Sequence, residues 1–98
     1  MAAYVISEIE PRDPALFARY RALVPASITK HQARYLVRGG ASDVIRGGPP
    51  AKMIVVLEFP AMAQARAWYG SADYAEARAL SKAALKRRLI FIEGVTRK

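Results

Sequence analysis

The chain has 98 residues, a length that fits a single domain. It carries 16 lysines and arginines against 8 aspartates and glutamates, and the resulting net charge of +8 favours anionic partners such as nucleic acid, a membrane surface or an acidic metabolite. It has no cysteine, which excludes disulfides, thiolate metal sites and a cysteine nucleophile.

The positive charge is concentrated towards the end of the sequence. Six cations fall within residues 82–98: Lys82, Lys86, Arg87, Arg88, Arg97 and Lys98. A solvated basic tail and helix end is the favoured explanation of this cluster, and an anionic partner is the alternative. The first residues meet Glu8 and Glu10 too soon for a signal peptide, and no apolar run reaches membrane-spanning length. We therefore expect a cytoplasmic protein that does not enter a membrane.

The first third of the chain predicts a strand followed by a helix. Ala3–Ile9 alternates as a strand does, and Asp13 followed by Pro14 is the preferred start of a helix. Apolar residues then recur at helical spacing: Leu16, Phe17, Tyr20, Leu23 and Val24. Pro25 is expected to end or kink this helix, and Ala26–His31 to form one further short turn.

The middle third predicts two strands. Ala33–Arg38 is the second strand, and Gly39–Gly40 marks a bulge or bend after it. Ala41–Ile45 is a candidate continuation of that strand, and Gly47–Pro50 predicts a turn. Met53–Phe59 is the third strand and the most apolar of the four.

The last third predicts a helical region and a final strand. Pro60 opens the helical region, in which four residues share one face: Met62, Ala65, Trp68 and Tyr69. Gly70 is expected to end this helix and Ser71 to cap a renewed one from Ala72 to about Leu85. Arg88–Val95 is the last strand.

The element order is β-α-β-β-α-β, which predicts an α+β, ferredoxin-like domain with one antiparallel sheet. Crossovers between parallel strands are right-handed, so both helical layers fall on the same face of the sheet. The alternation of β-strands predicts that one set of side chains meets the helices: Val5, Ile9, Tyr35, Val37, Val55, Leu57, Ile90 and Ile92. The opposite face then carries Tyr4, Ile6, Glu8, Arg34, Leu36, Arg38, Ile54, Val56, Glu58, Leu89, Phe91 and Glu93.

That opposite face is too apolar to be left in water. Covering its aliphatic side chains is worth on the order of 10 kcal/mol, and an apolar patch of this kind marks an interface. A second copy of the chain is the expected cover, which predicts a face-to-face homodimer. Arg34 and Arg38 are expected to lie between the two sheets, within reach of Glu8, Glu58 and Glu93.

Four segments carry a resemblance to a known family: YVISEIEPRDPALFARY, ARYLVRGG, IVVLEFP and ARAWYGSADYAEARAL. Together, from about residue 4 to residue 94, they resemble the family catalogued as domain of unknown function 1330, in the dimeric α+β barrel superfamily. The resemblance implies ferredoxin-like subunits whose sheets pack as a barrel across a dimer, with a cavity at the open end of each sheet. Superfamily relatives include cofactor-independent monooxygenases, lactone isomerases and haem-handling enzymes.

Two residues are candidate catalytic groups. His31 is the only histidine, and it precedes the strand that bears Arg34. Arg38 is the second candidate, because a guanidinium can clamp a carboxylate or an enolate. The candidate ligand-binding residues are Arg34, Arg38, Glu58, Trp68, Tyr69 and Tyr4. A surface role for His31, and internal ion pairs for the arginines, remain alternatives at this point.

No metal site and no cofactor is expected, since one histidine without cysteine leaves only scattered carboxylates. The first functional hypothesis is a homodimer that binds a small anionic or aromatic metabolite at the barrel end, with or without cofactor-independent monooxygenase- or isomerase-like activity. The second is a non-catalytic dimeric scaffold or regulator. The third is nucleic-acid binding, which is disfavoured because the third strand lacks the exposed aromatics of RNA-recognition domains.

Overall fold

The computed structural model describes residues 1–49 and 53–95 of the chain. Four strands form one antiparallel sheet in the order β2-β3-β1-β4. The elements are β1 (Ala3–Pro11), α1 (Pro14–Lys30), β2 (Arg34–Arg38), β3 (Met53–Phe59), α2 (Met62–Tyr69), α3 (Ala72–Ala84) and β4 (Leu85–Glu93). The predicted ferredoxin-like order, with the helices on one face of the sheet, is confirmed.

Helix α1 begins where the sequence predicts. The Asp13 carboxylate accepts hydrogen bonds from the backbone N–H groups of Ala15 and Leu16, each at 3.1 Å, and Pro14 occupies the first turn. Of the two outcomes expected at Pro25, the end of the helix is wrong, because the helix continues to Lys30. Proline inside a helix costs about 3 kcal/mol. Val24, Ser27 and Ile28 are buried on either side of Pro25, and this packing holds the last turns in place.

The later boundaries follow local signals. Ser71 caps α3, since its hydroxyl accepts from the Tyr74 N–H at 3.2 Å, and Gly70 ends α2. The expected extension of β2 over residues 41–45 is wrong: this stretch is exposed and forms no strand. Gly39 adopts a positive φ of 70°, which turns the chain away from β3. Of the turn predicted at residues 47–50, Pro50 lies outside the described residues.

Strand β4 begins at Leu85, directly after α3, so it starts three residues earlier and ends two residues earlier than predicted. Helices and sheet enclose one core. The core includes buried side chains from all three helices and from strands β1, β3 and β4: Val5, Ile9, Phe17, Tyr20, Val24, Ile28, Leu57, Phe59, Trp68, Tyr74 and Leu85. Among the described residues, no helix is both long enough and apolar enough to cross a membrane.

The predicted orientation of β4 is wrong. Phe91 pairs with Val5 and Leu89 pairs with Ser7, and both β1 residues are buried under the helices. Leu89 and Phe91 therefore face the helices, whereas Ile90 and Ile92 face the other way. The sequence LIFI is apolar on both sides, so alternation could not decide which side meets the core.

The predicted orientation of the end of β2 is also wrong. Tyr35 pairs with Leu57 as expected, but Val37 pairs with Val56, so one extra residue is inserted at Leu36. This β-bulge lies inside the strand and not at the glycine pair that follows it. Beyond the bulge, every side chain of β2 lies on the opposite face of the sheet from the one that a regular strand would give it. Arg38 consequently pairs with Val55 and points to the helix side, and Val37 points away from the helices.

The sheet face without helices is called the uncovered face below. It carries Tyr4, Ile6, Glu8, Arg34, Val37, Ile54, Val56, Glu58, Arg88, Ile90 and Ile92. One apolar row crosses all four strands at Ile90, Ile6, Val56 and Val37. Val37 and Ile92 are exposed to 39% and 49%, which is high for apolar side chains.

Candidate functional site

A cavity lies between α1 and the helix-facing side of the sheet. Its unfilled space amounts to about 560 Å³, including its open mouth, and little of this space is wide enough for a water molecule. The cavity is therefore narrow, which restricts it to small molecules. It is lined by Val5, Ser7, Ile9, Phe17, Tyr20, Arg21, Val24, Tyr35, Arg38, Met53, Val55, Leu57, Trp68, Arg87 and Leu89.

Arg38 and Tyr35 lie on the β2 side of the cavity. The Arg38 guanidinium carbon is 4.6 Å from the centroid of the Tyr35 ring, close enough for a cation–π interaction. Burial raises the pKa of Tyr35, although Arg38 and Arg21 act in the opposite direction. The half-buried phenol therefore stays neutral near pH 7. Arg38 remains exposed, so its guanidinium is free to meet a ligand at this edge.

Arg87, Tyr20 and Tyr74 form a hydrogen-bonded cluster on the opposite side. One terminal nitrogen (Nη1) of Arg87 donates to the Tyr20 oxygen at 2.7 Å and to the Tyr74 oxygen at 2.9 Å. The two phenol oxygens are 2.8 Å apart. Burial, reinforced by Tyr74, raises the pKa of Tyr20, so this phenol is neutral. Tyr20 and Arg87 both line the cavity and can present hydrogen-bond donors to it.

The electrostatic character of the cavity is uniformly positive. Three arginines line it, Arg21, Arg38 and Arg87, and its lining contains neither aspartate nor glutamate. Within the described part of the chain, none of these three forms an ion pair. Guanidinium groups without carboxylate partners, around an otherwise apolar space, favour the binding of an organic anion.

Three of the sequence-predicted residues lie elsewhere, on the uncovered face. Arg34 donates from Nε to Glu58 Oε1 at 2.6 Å, and this ion pair is largely exposed on its arginine side. Tyr4 lies beside Glu58 in the sheet, with its ring against the backbone of Gly94. The two arginines that the sequence places together are thus separated by the sheet: Arg38 reaches the cavity and Arg34 does not.

His31, Trp68 and Tyr69 are distributed among three environments. His31 ends α1, and its Nε2 is 3.4 Å from Asp73 Oδ2 on α3, away from the cavity. Trp68 lines the cavity with its ring, while its N–H donates to Ser27 Oγ at 3.0 Å. Tyr69 packs edge-on against Phe91 at 6.0 Å between ring centroids and does not line the cavity.

Sequence reasoning missed most of the polar lining. Ser7, Tyr20, Arg21 and Arg87 were not among the predicted site residues, although all four line the cavity. A helix-facing orientation of Arg87 could have been suspected from Leu85 two residues before it and Leu89 two residues after it. Among the described residues, no group of three or more histidine, aspartate or glutamate side chains could hold a metal ion.

Comparison with known proteins gives one family and several related folds. The family model described as "Domain of unknown function (DUF1330)" matches residues 2–95. No curated protein matches the chain.

Solved structures of similar fold cover nearly the whole chain. A protein of unknown function from Rhodopseudomonas palustris superposes with a TM-score of 0.79 at 15% identity, covering 98% of this chain and 84% of that one. The protein Rv0793 from Mycobacterium tuberculosis gives 0.61 at 20% identity, covering 99% and 98%. A Nitrosomonas europaea protein described as a candidate antibiotic biosynthesis monooxygenase gives 0.58 at 10% identity, covering 96% and 90%. At these identities the likeness shows the fold alone.

Proposed function

The chain belongs to the DUF1330 family, which is defined without an assigned activity. From the geometry of the chain itself, we propose that the protein is a homodimer that binds a small organic anion in the cavity between α1 and the sheet. We further propose that it acts in the cytoplasm. The observation that carries this proposal is the presence of Arg21, Arg38 and Arg87 around an apolar cavity that contains no carboxylate. A flat acid would bring the missing negative charge and fill the narrow space.

Arg38 is the residue expected to bind the anionic group. It is exposed at one edge of the cavity, whereas Arg87 is committed to two phenol oxygens. A hydrogen bond to a charged group contributes about 1.5–3 kcal/mol, which corresponds to roughly a tenfold to hundredfold change in affinity. Removing the Arg38 guanidinium should lower the affinity for an organic acid by that factor.

The test is a thermal-shift screen of small carboxylic acids, lactones and phenols, followed by titration of the hits. A ligand that binds the native state raises the melting temperature by mass action. Arg38→Gln should lose most of this increase, while Arg34→Gln should retain it. The control is closely matched, because both arginines lie on β2 but on opposite faces of the sheet. Equal effects of the two variants would contradict the proposed site.

The homodimer is supported by the uncovered face. Its apolar side chains are only partly exposed, so pairing two such faces would gain on the order of 5–10 kcal/mol from apolar burial. Each end of the face carries both signs of charge: Arg34 pairs with Glu58 at one end, and Arg88 lies opposite Glu8 at the other. A surface that carries both signs can complement a second copy of itself across a two-fold axis.

Sedimentation at micromolar concentration tests the dimer. Ile6→Glu places a charge in the middle of the apolar row and should give a folded monomer. Ile45→Glu is the control, since Ile45 is 91% exposed in the loop after β2 and should leave the dimer intact. A wild-type particle of 10.8 kDa would contradict the dimer.

Cofactor-independent catalysis is the second candidate function, and the cluster of Arg87, Tyr20 and Tyr74 is the observation that favours it. Neutral phenols next to a guanidinium can stabilise negative charge that develops on a bound oxygen, as in an enolate. Incubating each hit with the protein in air and following its loss by chromatography separates turnover from binding. If no hit is consumed, the binding function stands without catalysis.

The nucleic-acid hypothesis has less support from this arrangement. The uncovered face offers Tyr4 and otherwise mostly aliphatic and charged side chains, whereas single-stranded nucleic acid binds to exposed aromatic rings. A gel shift that weakens steeply with salt would favour it over metabolite binding.

A further inference from the structure

Ser7 lines the cavity, and its hydroxyl has no hydrogen-bond partner among the described residues. It is only 6% exposed. The other two buried serines differ, because Ser27 Oγ donates to the Val24 carbonyl at 2.7 Å and Ser81 Oγ to the Arg78 carbonyl at 2.6 Å. Helical serines can reach the preceding turn in this way, but a serine in a strand cannot.

The surroundings of Ser7 explain why its hydroxyl stays unpaired. β1 is a central strand that pairs with β3 on one side and β4 on the other. The neighbours of Ser7 across these strands are Val55 and Leu89, both apolar. Leaving a buried polar group without a partner costs free energy, so a hydroxyl at this position is unfavourable unless a bound molecule uses it.

Ser7 also has a defined position relative to Arg38. Val55 lies opposite Ser7 on one side and opposite Arg38 on the other, so the three residues form one row across the sheet. Ser7 and Arg38 are two strands apart, or about 10 Å between backbones. Both residues line the cavity, and the apolar Val55 lies between them in this row.

We propose that Ser7 is a ligand-binding residue, and that the cavity selects flat carboxylic acids that carry a hydroxyl or carbonyl oxygen on the side opposite the carboxylate. Arg38 binds the carboxylate at the edge, the apolar lining contacts the ring or chain, and Ser7 donates its hydroxyl proton to the distal oxygen. This assignment rests on the proposed function. A site with a buried hydroxyl discriminates strongly against an analogue that lacks the matching oxygen, because the hydroxyl is then left unpaired.

Two probe acids and two variants test the assignment by isothermal titration calorimetry. The probes are 4-hydroxybenzoate and benzoate, which differ by one oxygen. Wild-type protein should bind the hydroxylated acid at least tenfold more tightly. Ser7→Ala should abolish that preference, because it should lower the affinity for 4-hydroxybenzoate and leave the affinity for benzoate unchanged. Arg38→Gln should lower the affinity for both acids. Ser42→Ala, in the exposed loop after β2, is the control and should behave as wild type.

The outcomes separate the two proposals. If Ser7→Ala keeps the preference for 4-hydroxybenzoate while Arg38→Gln weakens both acids, the role of Ser7 is wrong and the anion site stands. If the wild-type protein binds neither acid, the ligand class proposed for Ser7 is wrong, and the anion site is then judged by the wider screen. Circular dichroism of Ser7→Ala checks that the variant is folded. A folded variant is expected, because the substitution removes an unpaired polar group from the core.

Discussion

The same substitution at two buried serines should change stability in opposite directions. Ser7 and Ser27 are exposed to 6% and 2%, respectively, so both are part of the interior. Ser27 Oγ donates to the Val24 carbonyl and accepts from the Trp68 N–H at 3.0 Å, whereas Ser7 Oγ has no hydrogen-bond partner among the described residues. We therefore expect Ser7→Ala to stabilise the ligand-free protein and Ser27→Ala to destabilise it.

The magnitudes follow from the hydrogen bonds involved. A buried polar group without a partner costs about 1–3 kcal/mol, so Ser7→Ala should recover about 1 kcal/mol after a small loss of packing. For a domain of this size, 1 kcal/mol corresponds to a rise in melting temperature of roughly 4–8 °C. Ser27→Ala leaves the Trp68 indole N–H unpaired and should lose about 1–3 kcal/mol.

Urea unfolding followed by circular dichroism measures both effects. The protein concentration must be the same for all variants, because a dimer has a concentration-dependent stability. Opposite signs of the two free-energy changes would confirm that the Ser7 hydroxyl is unsatisfied in the native state. If Ser7→Ala were neutral or destabilising, the hydroxyl would be satisfied in the free protein. The energetic reason for placing a ligand oxygen there would then disappear.

Two further predictions concern ionisable side chains. Burial raises the pKa of Tyr20 above its ordinary value near 10, so the unfolded state alone releases this proton as the pH rises past 10. The stability of the wild type should fall there by about 1.4 kcal/mol per pH unit more steeply than that of Tyr20→Phe, as alkaline urea titrations would show. The hydrogen bond from Lys30 lowers the pKa of Asp73, so its contribution is present above the ordinary carboxyl pKa and is lost as the pH falls. Asp73→Asn should therefore be less stable than wild type at pH 7 and equal to it at pH 2 in thermal melts, and a difference that does not depend on pH would contradict this interpretation.

The sequence predicted those features of the fold that depend on neighbouring residues in the chain. Asp13 and Ser71 begin helices because each supplies an oxygen to nearby N–H groups, and this signal is local. The inward faces of β1 and β3 were predicted correctly, since Val5 and Leu57 meet the helices. Pro25 misled the prediction, because the free-energy cost of a proline inside a helix is evident from the local sequence. The packing that offsets this cost comes from distant parts of the chain.

The candidate site was harder to predict because it depends on which face each side chain occupies. In the LIFI part of β4 both alternating sets are apolar, so alternation there does not decide which one is buried, and only Leu85 at the start of the strand favours the observed orientation. In β2 the one-residue bulge reverses the direction of Arg38. The unpaired state of the Ser7 hydroxyl depends on neighbours from two other strands, Val55 and Leu89, which are far away in sequence.

The bulge at Leu36 leads to a prediction that a regular strand would not make. Deleting Leu36 removes the extra residue and should keep Arg38 opposite Val55, on the helix side, because β2 and β3 would then pair without interruption. Deleting both Leu36 and Val37 shifts Arg38 by one more position, opposite Val56, and moves it to the uncovered face. Ligand-induced stabilisation should survive the single deletion and disappear in the double deletion, as measured by thermal shift with a hit from the acid screen. Retention of binding in the double deletion would mean that Arg38 does not bind the acid from the position that the β2–β3 register gives it.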